Sequence, residues 1–222
     1  FVSRPIQLGK HEVFTSVSIG IAMVSTNYER AEDLLRDADT ALNRAKSNGR
    51  ARYEIFDANM HSRILAVLNL EAELRQAVER REFAVYYQPI ISMENGKLTA
   101  VEALLRWQHP LRGLVLPGEY IWLLEDNGLI VTVGELVLRA AAIFAKRLQE
   151  AGFTQVAVSV NISARQFQDP NLPHLVQTVL KETGIPASAL QLEITESAAM
   201  SDFNLTIETM KKINALGVEF SI

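Results

Sequence analysis

Apolar and polar positions follow two periods along the chain, and each switch between them marks an element. Over residues 12–24 the period is two, with Val13, Thr15, Val17, Ile19 and Ile21 on one face. This predicts a strand, in which Gly20 marks a bulge or a close backbone approach. Over 29–47 the period becomes helical: Ala31, Leu34, Leu35, Ala38, Leu42 and Ala45 form one stripe, closed by the pair Asn48-Gly49. Residues 50–56 return to extended form. A second helix is predicted over 59–81, where Ile64, Leu65, Leu68, Leu74, Ala77 and Val78 are interleaved with charged residues. No Pro or Gly interrupts it, so it should act as a semi-rigid connector.

Two extended runs follow, 83–91 and 98–107, joined by the turn Glu94-Asn95-Gly96-Lys97, and they read as a hairpin. Pro89 argues against a central place for the first run over its whole length. Beyond the hairpin, helices (117–126, 133–149, 173–181, 203–216) alternate with strands (156–160, 190–194, 218–222), punctuated by Gly152, Gly184-Ile185-Pro186 and Gly217. Strands separated by helices at this spacing indicate βαβ units, an α/β fold class and a parallel sheet. A (β/α)8 TIM-like barrel fits better than a doubly wound sheet. No glycine-rich phosphate loop follows any strand, and the polar groups sit at the strands' own C-terminal ends.

Composition narrows the picture. With 222 residues, 48% of them hydrophobic, the chain can bury a full core as one or two domains. A net charge of −4 gives no broad footprint for a nucleic acid polymer, so an anionic ligand must be met by a local site. The absence of cysteine rules out disulfides and thiolate zinc sites and points to a reducing, cytoplasmic setting. The apolar stretch 136–145 is broken by Arg139 and is too short to span a membrane. Phe1 begins in mid-pattern with neither initiator Met nor signal peptide, and the left end reads as a cut.

Candidate chemistry centres on the run 101–110, which places Glu102 and Arg106 in a segment otherwise suited to burial. A structural ion pair is the ordinary explanation for such charges. A recurrence further on points elsewhere, because the apolar strands 156–161 and 190–196 also end in oxygen-bearing side chains. In a barrel, Glu102, Asn161 and Glu193 would converge on the mouth, and these hard donors suit Mg2+, Mn2+ or Ca2+. Zinc would call for histidine, and His109, just after the strand and before Pro110, suits a loop role. Arg106 lies on the same side of the strand as Glu102, and a guanidinium beside an oxygen-ligated metal suits a phosphate ester. Lys46 and Arg50 flank a helix end, where dipole compensation accounts for them.

These residues carry a resemblance. Tyr87-Gln-Pro-Ile90, Glu102-Ala-Leu-Leu-Arg-Trp107, Ser159-Val-Asn-Ile-Ser163 and Leu192-Glu-Ile-Thr-Glu196 resemble the ordered motifs of the EAL-domain family, bacterial cyclic di-GMP phosphodiesterases. Ser18-Ile-Gly-Ile-Ala22 and the segment from Ala38 through Lys46 to Arg50 resemble the closing third of a GGDEF, or diguanylate cyclase-like, domain. The resemblance implies a partial α+β GGDEF domain over 1–57, a connector helix over 58–81, and the opening part of an EAL barrel over 82–222. It implies Glu102, Asn161 and Glu193 as metal ligands, Arg106 as a phosphate contact and Gln88 as a guanine contact. It further implies Glu196 as the glutamate that steadies a metal-bearing loop, and Lys46 and Arg50 as phosphate-facing residues of the GGDEF part. The family's Asp-Asp-Phe-Gly run would follow residues 218–222, where the chain stops. The expectation is therefore a parent protein that opens cyclic di-GMP to linear pGpG with two Mg2+ or Mn2+ ions, and a chain of 1–222 that is inactive and poorly soluble alone. A receptor that binds cyclic di-GMP without cleaving it, or an interaction module in which the 59–81 helix pairs two copies into a homodimer, are the alternatives. A sensory domain upstream, and attachment of the parent to the inner membrane through upstream segments, complete the expectation.

Overall fold

The computed structural model describes residues 6–8, 11–13, 15–24, 28, 30–57, 59–194 and 203–221. They divide into two compact units at Leu70/Glu71.

In the first unit, β1 (Ile6–Leu8) pairs antiparallel with β2 (His11–Val13), β3 (Ile19–Ile21) pairs parallel with β4 (Tyr53–Ile55), and α1 (Ala31–Ser47) lies between β3 and β4 in sequence. The single strand expected over 12–24 is corrected: residues 15–18 are unpaired, and only three residues at a time form ladders. The cause lies in the partner strand. Arg50 and Ala51 adopt left-handed backbone (φ 59° and 53°), which ends the extended run before β4 and limits how far β3 can pair. Gly20 is required by close approach: a Cβ there would sit 2.0 Å from the Ala38 carbonyl oxygen of α1. α1 buries Asp37, Ala41 and Ala45, while Leu35, placed on the apolar stripe by its spacing, is exposed. The helix closes as expected at Asn48-Gly49, with the Arg50 amide donating back to the Ala45 carbonyl at 3.1 Å.

Helix α2 (Asn59–Glu79) runs across the division at Leu70/Glu71. In the second unit it ends without glycine. Arg81 takes the left-handed conformation (φ 57°), and the Glu82 amide donates to the Ala77 carbonyl at 2.9 Å. β5 (Phe83–Ile91), β6 (Leu98–His109) and β7 (Gly113–Val115) then form two antiparallel pairs. The β5–β6 turn is built by its own side chains, with Ser92 Oγ accepting from the Glu94 amide and Asn95 Oδ1 from the Lys97 amide. A 3-10 turn (Pro117–Glu119), α3 (Ile121–Asn127) and α4 (Leu129–Glu150) lead to β8 (Ala157–Ile162). After it come α5 (Ala164–Phe167), α6 (Leu172–Thr183), β9 (Leu190–Ile194), α7 (Phe203–Asn214) and β10 (Glu219–Ser221).

The sheet order is β10-β9-β8-β6-β5, with β7 added to β6; β6, β8, β9 and β10 are parallel and β5 is antiparallel at the edge. This is an open arc of a TIM-barrel-like α/β fold. Pro89 is accommodated because β5 is at the edge of the described sheet, paired with β6 on one side only. One face of the sheet is apolar: Val101, Ala103, Leu105 and Trp107 of β6, Val158, Val160 and Ile162 of β8, and Leu190, Leu192 and Ile194 of β9 are all buried. α4 contributes Ile130, Val133, Val137, Leu138, Ala141 and Ala145 at helical spacing, an apolar stripe wide enough to bury one helix side. Among the described residues no single helix is long and apolar enough to cross a membrane.

Candidate functional site

The period of two that buries Leu192 and Val160 turns their neighbours to the other face of the sheet. That face carries Gln88 on β5, Glu102 and Arg106 on β6, Ser159 and Asn161 on β8, Gln191 and Glu193 on β9, and Ser221 on β10. The register brings most of these into lateral contact. Gln88 is the Cα partner of Glu102, Glu102 of Ser159, Asn161 of Glu193, and Glu193 of Ser221.

Glu102 is held by an amide. Asn161 Nδ2 donates to Glu102 Oε1 at 2.7 Å. The structural ion pair with Arg106 is not formed. Arg106 instead donates from Nη1 to the Leu105 carbonyl at 2.8 Å and lies 6.0 Å from the Tyr86 ring. Among the described residues no carboxylate lies within ion-pairing distance of it, so its charge faces the polar side uncompensated, the state of a residue able to meet an anion. Glu193 accepts a hydrogen bond from Ser159 Oγ. Sequence reasoning assigned no role to Ser159, yet its position two residues before Asn161 put it on the same face.

The loop after β8 is fixed from below. Ser163 and Gln166 form a reciprocal capping box at the start of α5, a pattern readable as Ser-x-x-Gln but overlooked. Gln166 is buried against Gly134 of α4, where a Cβ would sit 1.8 Å from Gln166 Nε2. Arg165 donates from Nη1 to the carbonyls of Glu125 and Asp126, at 2.8 Å each, and ties α5 to the end of α3. An apolar cavity of about 220 Å3 lies beneath, bordered by Leu104, Ile121, Ile130, Val133, Asn161 and Gln166.

The remaining sequence candidates fall in different places. His109 is the last residue of β6, not the first of a loop. It is buried, and its Nδ1 accepts from the amides of Leu111 and Arg112 at 3.1 Å, which makes it a turn-fixing residue. Glu196 lies outside the described residues. Lys46 and Arg50 stand exposed at the end of α1 in the first unit.

The donor set fits a hard divalent cation. No group of three His, Cys, Asp or Glu side chains assembles among the described residues; Glu102, Glu193 and the Asn161 carboxamide, on neighbouring strands, carry oxygen donors of the kind a hard divalent cation takes. The two ends of a carboxamide are nearly isosteric, and a half-turn about its last bond exchanges the N–H for the oxygen.

A family model described as the EAL domain matches residues 71–222, and one described as diguanylate cyclase, GGDEF domain, matches residues 2–52. The chain is 39% identical over 221 residues to the bifunctional diguanylate cyclase/cyclic di-GMP phosphodiesterase MucR of Pseudomonas aeruginosa, covering 100% of this chain and 32% of that protein. It is 34% identical over 215 residues to the cyclic di-GMP phosphodiesterase PdeR of Escherichia coli, covering 97% and 32%. The chain thus spans about a third of the length of these curated relatives. Among solved structures, the PaMucR phosphodiesterase in complex with c-di-GMP superposes with a TM-score of 0.67 at 40% identity, over 69% of this chain and 62% of that one. The EAL enzyme Bd1971, in its cAMP- and cyclic-di-GMP-bound form, gives 0.69 at 25% identity, over 89% and 52%.

Proposed function

We propose, from the premise that this chain belongs to the EAL-domain family and carries part of a GGDEF domain ahead of it, that the full-length protein is a cyclic di-GMP phosphodiesterase. It opens the cyclic dinucleotide to linear pGpG and depends on Mg2+ or Mn2+. The observation that carries the reading is the joining of Glu102 to Asn161, with Glu193 in register beside Asn161 and an uncompensated Arg106 on the same face. MucR and PdeR, both named as cyclic di-GMP phosphodiesterases, support the substrate.

In this reading Glu102, Asn161 and Glu193 hold the cation. When bound, a divalent ion lowers the pKa of a water and polarises a phosphodiester. The chain's own residues do the rest. Arg106 presents its guanidinium to the phosphate and offsets charge that grows on it during hydrolysis. Gln88, exposed and opposite Glu102, offers both a donor and an acceptor to a guanine edge. Glu196 is assigned to steadying the loop after β9. In the GGDEF part, Lys46 and Arg50 are assigned to a nucleotide phosphate, and the domain boundary is placed within α2. Input from an upstream sensory domain and pairing of two copies through α2 are the proposed regulation.

Residues 1–222 alone are expected to release no product, because the described strands form an open arc in which β5 and β10 each pair on one side only. The test is product analysis after incubating the full-length protein with cyclic di-GMP and Mn2+, with and without EDTA. Linear pGpG should form only when metal is free. A dinucleotide left intact at every metal concentration overturns the assignment.

A further inference from the structure

We propose that Ser159 is a positioning residue that fixes Glu193 for cation binding, an inference that rests on the reading above for the presence of the cation. β8 lies between the two strands that carry the acidic side chains, β6 with Glu102 and β9 with Glu193. Ser159 and Asn161 are two residues apart on β8 and so project from the same face. They reach in opposite lateral directions. Asn161 donates to Glu102 on one side, and Ser159 donates to Glu193 on the other. In each case the carboxylate's Oε1 is tied to β8 while Oε2 takes no part in that bond.

The direction of the Ser159 bond is fixed by chemistry. An ionised carboxylate only accepts, so the hydroxyl must donate. Ser159 is fully buried (0% exposed) on the polar face of β8, between Glu102 of β6 and Gln191 of β9 in register, and a hydroxyl shut away from water carries a desolvation cost unless it is bonded. Alanine would fill the same space without that cost. What the hydroxyl adds is a hold on a side chain that is itself only half-buried, limiting its freedom to turn about its own bonds. A glutamate held through one oxygen meets a cation without first losing that freedom, and loss of a residue that orients a metal ligand in this way typically weakens metal binding about 10–100-fold.

The test is Mn2+ binding to the full-length protein, followed by electron paramagnetic resonance for the wild type and Ser159→Ala, with thermal melting of both. Ser159→Ala should bind Mn2+ about 10–100-fold more weakly. Its melting temperature should stay within about 4 °C of the wild type, and excess Mn2+ should return its turnover towards the wild-type rate, a rescue that a purely structural role would not give. Wild type that binds and hydrolyses while Ser159→Ala binds Mn2+ equally well overturns the role of Ser159 and leaves the hydrolase reading standing. Wild type that binds no Mn2+ overturns both.

Discussion

Leu192 and Glu193 are adjacent in the chain and opposite in environment. Leu192 is fully buried on the apolar face, whereas Glu193 looks onto the polar side of the same strand. The same division runs through β6, where Val101 and Ala103 flank Glu102, and through β8, where Val160 precedes Asn161. One face of the sheet therefore carries stability and the other carries chemistry. The two can be altered separately wherever a residue belongs to only one of them. Ser159 is the exception in burial: it belongs to the chemical face yet is shut away from water, and it is there that the two demands meet.

The sharpest way to break this division is to cut on both faces. Glu102→Ala in the full-length protein should lower phosphodiesterase turnover by on the order of 10³ while leaving the melting temperature close to that of the wild type. Leu192→Ala should do the reverse, lowering stability by about 2–5 kcal/mol in denaturant titrations with turnover of the remaining folded protein retained. Full turnover in the first variant, or unchanged stability in the second, would show that the faces are not divided as described. A smaller effect is expected at Gly134→Ala. The new methyl group would meet Gln166 and disturb its bonds with Ser163, for a loss of about 1–3 kcal/mol. Unchanged melting of that variant would show that α4 and α5 yield to each other freely.

The smallest effect comes from two tyrosines. Tyr120 is fully buried in a cluster with Phe83 and Trp107, and its hydroxyl has no hydrogen-bond partner among the described residues. Tyr87 donates its hydroxyl to the Ala140 carbonyl at 3.0 Å. Tyr120→Phe should therefore change stability at neutral pH by less than about 1 kcal/mol, whereas Tyr87→Phe should lose about that much. Burial pushes the Tyr120 phenol well above its ordinary value of 10.0. The folded chain then keeps a proton that the unfolded chain gives up as the pH rises through 10. Stability is full below that pH and falls above it, and Tyr120→Phe should flatten the fall. An equally steep alkaline loss in the variant would assign the effect to other groups.

Much of this was legible in the residues. The hairpin of β5 and β6 follows from Asn95-Gly96 between two alternating runs, and the edge position of β5 from Pro89. The candidate donors were legible because a charged or amide side chain at the end of an apolar strand stands out from its neighbours. Other features were hidden. The run 12–24 has the alternation of one strand, but alternation describes which way side chains point and not whether a partner strand exists, and β4 is too short to supply one. Leu35 fits the helical stripe of α1 and is still exposed, since spacing does not say how wide a face is covered. The proline after His109 points to a loop, yet the strand includes His109 and its ring holds the turn.

By itself, then, the sequence determined which side chains share a face, because the period of two is a property of the extended backbone at each residue. The tertiary structure alone decided that Asn161 meets Glu102 and that Ser159 meets Glu193. Those contacts depend on the order and register of β6, β8 and β9, strands brought side by side by the packing of long helical crossovers. A shift of one residue in that packing would have turned every donor to the other face.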